Sequence, residues 1–190
     1  KELCSSLIIL CASTIQSLRL LLNSERKQRK DGFIDPSGQL GLRLMDHVST
    51  CRFFAIPSSH AHPYQSTANS NQVLSGAGSF FIPFGSRLNT SIEPKFLRGY
   101  GLWGGIDRFE PPRFLKRFPE TNTGFLIGHG EVLASDQNKV TLSSDIDRWG
   151  IPIPDIDISW ADNELAMVNH MNKTIEEIIK SAGGEILPFQ

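Results

Sequence analysis

The stretch Asn138–Gly184, NKVTLSSDIDRWGIPIPDIDISWADNELAMVNHMNKTIEEIIKSAGG, decides how this 190-residue chain is read. A short strand, a proline-containing extended run and one long amphipathic helix follow one another in it. Leu165, Val168, Met171, Ile175, Ile178 and Ala182 recur every three or four positions, which predicts a helix with one apolar stripe. Asp162 is the expected cap, Glu164 suits the positive end of the helix dipole, and Gly183-Gly184 after Lys180 marks the stop. A stripe of this length must be buried against a sheet, and the preceding strands are the segments long enough to receive it.

Within this stretch Trp149–Pro154 carries two prolines and is expected to be an extended edge or crossing segment, because proline gives no donor to a ladder. Asp155–Trp160 alternates into a strand toward the helix start. Gly124–Ala134 and Lys139–Leu142, joined by Asp136-Gln137-Asn138, predict a hairpin. Phe96–Ile106 and Val73–Phe84 read as glycine-containing strands, and Val48–Ile56 as a strand ended by Pro57. GYGLWGG (Gly99–Gly105) lacks a following helix and is not read as a phosphate loop. Arg108–Asn122 is expected to be a loop or helical turn. The fold class is α+β: an antiparallel-rich mixed sheet backed by the C-terminal helix, with a βα piece ahead of it.

That βα piece is the apolar run Leu7–Cys11, expected to be a strand covered on both faces, followed by a helix from Ile15. Small residues Ala12-Ser13-Thr14 at the junction allow a ligand or backbone to come close. They equally suit a tight turn that binds nothing. Asp35-Pro36-Ser37-Gly38 is a turn signature, and the basic residues Lys27, Arg29 and Lys30 read as a solvated surface.

Composition narrows the function. Net charge is -1 and hydrophobic residues make up 39%, so there is no basic footprint for nucleic acid and no class other than an ordinary globular domain. No run reaches the roughly 20 apolar residues of a membrane helix. Cys4, Cys11 and Cys51 have irregular spacing and are expected to be buried, reduced thiols, which favours a cytoplasmic location over a disulfide framework. His60 and His62 form an HxH pair without a third ligand at a convincing spacing, so no metal is expected. His129 and His170 read as structural, the latter as a helix-surface residue. Arg98, Tyr100 and Trp103 are candidates to face a ligand across the sheet.

The motifs LCASTIQSLRLLLNS, SGQLGLRLMDH, FLRGYGLWGG and GEVLASDQNKVTLSSDIDRWGIPIPDIDISWADNELAM, in that order, resemble the glucose-methanol-choline (GMC) family of FAD-dependent oxidoreductases over nearly the whole chain. The family commonly has glycine at the position of Ser13, proline at that of Leu18 and arginine near Leu42, and this chain departs at all three. The resemblance implies that residues 1–47 are a piece of an FAD-binding domain and residues 48–190 a substrate-binding domain. It implies FAD as cofactor, with Ala12 and Ser13 as contact positions, and a small alcohol (sugar, choline-like or other) oxidised by hydride transfer. It further implies an internal fragment, with the dinucleotide fingerprint before it and the catalytic histidine after it, inactive alone and completed by the missing segments. The alternative is a non-catalytic α+β small-ligand-binding module.

Overall fold

The computed structural model describes residues 4–25, 27, 30–57, 78–85, 96–106 and 121–188. His60 and His62, Arg29, the start of the Val73–Phe84 run and the Arg108–Glu120 segment lie outside the described residues. The chain divides into two compact units, Lys1–Met45 with Leu133–Ser159, and Asp46–Val132 with Trp160–Gln190. Residues 133–159 thus group with the N-terminal part instead of with the sheet that precedes them.

In the first unit, helix α1 (Thr14–Ser24) forms as the pattern predicts. The strand expected at Leu7–Cys11 does not form: residues 7–11 have no ladder partner, and Leu7, Ile8 and Ile9 are more than two-thirds exposed. A strand buried on both faces needs neighbours, and no described strand lies beside this one. Cys4 and Cys11 are exposed as a consequence, contrary to the expectation of buried thiols, while Cys51 is half-buried in the other unit.

The second unit begins with four strands, β1 (His47–Pro57), β2 (Gly78–Gly85), β3 (Gly99–Ile106) and β4 (Thr121–Glu131). The first unit then contributes β5 (Lys139–Ile146) and β6 (Pro152–Asp157), an antiparallel pair standing alone as a two-stranded sheet. The hairpin expected between β4 and β5 is therefore absent, because β1 and β3 already occupy both edges of β4. Pro152 and Pro154 sit in β6, which pairs on one side only, where missing donors are tolerated. Arg19 of α1 gathers this unit: its Nε donates to the Pro152 carbonyl (2.6 Å), and its guanidinium donates to Asp147 Oδ2 (2.7 Å) and the Ile151 carbonyl (2.9 Å). Asp147 in turn accepts the Trp149 and Ile151 amides, and Arg19 leads the contacts that hold its carboxyl below the usual range. Buried Asn138 pairs with Ser159 as a strand residue would, donating from Nδ2 to its carbonyl (3.2 Å) and accepting its amide (2.9 Å).

The second unit is a five-stranded sheet in the order β2-β3-β4-β1-β7, with β7 (Glu185–Ile186) closing the edge of β1. Its described pairs are all antiparallel. Helix α2 (Asp162–Ser181) covers one face. Its buried line is Glu164, Met167, Met171, Ile175 and Ile179, a rotation away from the stripe expected from sequence: Leu165 remains 47% exposed. The cap is Ala161, one residue earlier than expected, with Asp162 inside the first turn. Ala161 has no side-chain acceptor to offer, so only Glu164 closes the turn, accepting the Ala161 amide at 3.0 Å.

Glycines set how closely α2 approaches. A Cβ at Gly128 would stand 2.6 Å from the Met171 sulfur, and one at Gly130 would overlap Met167. Met167 and Met171 are fully buried above them with Val48, Leu102 and Leu126, each such burial being worth about 1.5–3 kcal/mol. Among the described residues no helix is long and apolar enough to cross a membrane.

Candidate functional site

Strand alternation gives the sheet two chemically different faces. On β3, Tyr100 and Leu102 turn toward α2 and are buried, whereas Gly101 and Trp103 lie on the opposite face, with Trp103 39% exposed. On β4 the even positions Leu126, Gly128 and Gly130 are under the helix, and His129 and Glu131 are on the open side. On β1, Val48 is core and His47 is exposed.

Register then assembles the open face. His47 stands opposite Glu131, and Gly101 opposite His129. The imidazoles of His47 and His129 meet edge to face with centroids 6.1 Å apart. His129 lies parallel to the Trp103 indole, 6.1 Å between centroids and 7° between planes. Trp103 is braced edge-on by Phe125 at 5.2 Å. Gly101 has no side chain to fill the space opposite His129, and the Phe81 ring from β2 lies over it, 2.6 Å from where a Cβ would be. The result is a groove of about 490 Å³, lined by the side chains of His47, Phe81, Pro83, Trp103, His129 and Glu131 over a glycine-rich floor. Its size is that of a small-molecule site. Glu131 and Arg98 approach at 3.9 Å, but both are about two-thirds exposed, so this pair adds little stability.

The three residues expected to face a ligand therefore separate. Trp103 lines the groove. Arg98, at positive φ (70°), sits at its rim through Glu131. The Tyr100 side chain goes into the core: its hydroxyl is 2.8 Å from His170 Nδ1 and 3.0 Å from Thr174 Oγ1 on α2. Burial pushes the Tyr100 phenol up and the His170 imidazole down. His170 is thus a half-buried partner packed on Phe96 and Tyr100, rather than the helix-surface residue expected from sequence. Gly99, Gly101 and Gly104 have the spacing of a GxGxxG fingerprint, but they lie inside a strand paired on both edges and open no helix.

His47 and His129 are the groove residues that sequence reasoning passed over. The available signal was the alternation of β4, in which His129 falls on the face opposite the glycines that admit the helix. Among the described residues no group of three or more metal-ligating side chains occurs.

In the first unit, Ala12 and Ser13 stand at the start of α1. Ser13 has φ 67° and ψ 167° and gives the helix no side-chain cap. The Ala12 amide donates to Ser17 Oγ at 3.3 Å. Ala12 also borders a depression of about 370 Å³ with Gln16, Arg19, Leu20, Asp147, Trp149 and Ile151.

No protein-family model matches the chain. Over 96% of its length the chain is similar, at 24% identity, to the 2-methyl-1,2-propanediol dehydrogenase of Mycolicibacterium austroafricanum. The chain spans 34% of that relative's length. This is a distant relationship to an oxidoreductase.

Proposed function

We propose that these residues form part of an FAD-dependent alcohol oxidoreductase of the GMC type, in which the open face of the five-stranded sheet is the substrate side. The observation that carries the reading is the backbone of Ser13. Its φ of 67° with ψ of 167° is a region that glycine occupies almost alone, and the resembling family commonly has glycine at this position. The dehydrogenase relationship along 96% of the chain, with a relative named for a small diol, supports the same reading.

Ala12 and Ser13 fit one corner of a dinucleotide site, a sharp turn into a helix start without a side-chain cap. They are too few to hold FAD by themselves, and the Ala12 amide is already engaged by Ser17. When bound, the flavin supplies the hydride acceptor; the residues described here hold and orient the alcohol. Two exposed free cysteines, Cys4 and Cys11, suit a reducing cytoplasm.

The test is the flavin content of two purified proteins: the 190-residue chain and the protein that carries it in full. Stoichiometric FAD is expected in the longer protein and substoichiometric FAD in the chain alone. A longer protein without flavin overturns the proposal, and stoichiometric flavin on the chain alone overturns the claim that the rest of the site lies elsewhere.

A further inference from the structure

We propose that His47 and His129 form a two-point hydroxyl-binding site in the groove, which selects a neutral alcohol bearing at least two hydroxyls over a monohydric or a cationic one. The proposal rests on the reading of the open sheet face as a substrate side. Three observations lead to it.

The first is hydrogen-bonding capacity. Neither imidazole carries a hydrogen bond from its ring nitrogens to any described side chain or backbone group, apart from a loose 3.8 Å approach of His47 to Asp46. An imidazole offers one donor and one acceptor when neutral, so each ring can satisfy one hydroxyl in either sense. The second is placement. The rings belong to adjacent strands on one face, 6.1 Å between centroids, and both line the same groove. Two hydroxyls on one small carbon skeleton are a natural match for such a spacing. The third is the wall. Trp103 and Phe81 present aromatic surface to the groove, and Gly101 leaves room between them. That surface covers the carbon side of a polyol while the imidazoles take its oxygens.

The charge around the groove argues against a cation as ligand. Among the described lining residues Glu131 is the one carboxylate, with Arg98 beside it at 3.9 Å, and Asp46 stands 3.8 Å from His47 Nδ1 without lining the groove. No second carboxylate is among the described lining residues, and Tyr100, whose ring turns into the core toward His170 and Thr174, gives the groove no third aromatic face beside Phe81 and Trp103.

The experiment is NMR observation of the histidine ring protons of the 190-residue chain, without flavin, during titration with 1,2-propanediol, 1-propanol and choline. The diol is expected to shift the His47 and His129 signals saturably and to leave His170, on the other face, unmoved. One lost hydrogen bond weakens binding about five- to tenfold, so 1-propanol is expected to bind at least that much more weakly. Choline is expected to bind no better than 1-propanol. His129→Phe and His47→Phe, which keep a ring but remove both ring nitrogens, are each checked for native circular dichroism and are expected to bring diol affinity down to that of 1-propanol. Equal affinity for diol and monohydric alcohol overturns the proposal, as does tighter binding of choline or His47 and His129 shifts no larger than those of His170. Because flavin takes no part, a longer protein purified without flavin would count against the oxidoreductase reading without touching this result.

Discussion

The hydroxyl oxygen of Tyr100 lies 2.8 Å from Nδ1 of His170, and this contact joins the second strand of the sheet, β3, to the middle of helix α2. Thr174 Oγ1, one turn further along, is 3.0 Å from the same oxygen. A single hydroxyl proton serves one of these partners, and the tautomer of His170 follows from which one it serves. Tyr100→Phe removes the oxygen that both His170 Nδ1 and Thr174 Oγ1 approach, while the 3.4 Å contact between those two atoms stays. The expected cost is about 0.5–1.5 kcal/mol in urea unfolding, with the sheet and helix content unchanged. An unaltered midpoint would show that the contact contributes nothing net.

His170 also makes stability depend on pH. Desolvation holds its imidazole below 6.5, with smaller opposing and reinforcing effects from Glu177 and Lys173. As pH falls through 6.5 the unfolded chain takes up a proton that the folded chain still refuses, so unfolding is favoured. The contribution is fully present above 6.5 and is lost progressively below it, down to the folded value. Urea midpoints measured from neutral into the mildly acid range are expected to fall less steeply in His170→Asn than in the parent chain. Parallel slopes would remove His170 as the cause.

The close approach of α2 to β4 depends on Gly128. Any Cβ there meets the sulfur of Met171 at 2.6 Å and Leu102 at 3.2 Å, and both side chains are fully buried with nowhere to move. Gly128→Val is expected to destabilise the chain by about 1–3 kcal/mol through overpacking. Met171→Ala alone is expected to cost about 2–5 kcal/mol, and because it opens the space the double variant is expected to lose less than the sum of the two single losses. Additive losses in the double variant would contradict a direct clash.

Ser13 carries backbone strain at the entrance to α1, with φ 67° and ψ 167°. Ser13→Gly is expected to raise stability by about 1 kcal/mol despite the greater freedom of glycine in the unfolded chain, because this conformation costs about 1–3 kcal/mol for a residue with a Cβ. Ser13→Ala keeps the Cβ and is expected to bring no gain. Thermal midpoints of the two variants separate these outcomes.

The long helix was legible in sequence because a 3.6-residue period persisted over five turns, but its face was not. Leu165, Ala166, Met167 and Val168 are consecutive apolar residues, so several stripes fit the pattern equally well. The glycines at 128 and 130 on a distant strand choose the methionines over Leu165. Strands β1, β3 and β4 were also legible from composition, but their pairing was not. The turn residues before Lys139 suggest a local hairpin, yet the edges of β4 are filled by non-local neighbours. The groove suffered most from this. His47 and His129 lie on separate strands and become neighbours only through the antiparallel register of β1 with β4. Trp103 was found because it belongs to a conspicuous aromatic motif, and Tyr100 from the same motif went to the opposite face by strand alternation.

The central claim is that the open face with Trp103 and His129 serves an alcohol oxidoreductase whose hydride acceptor is a flavin. Its most direct test is anaerobic mixing of a small diol with the flavin-loaded protein that carries these residues, followed by the visible absorbance of the flavin. The oxidised band is expected to bleach with the diol, and Trp103→Ala to require at least about tenfold more diol for the same rate. A bound flavin that no alcohol reduces would contradict it.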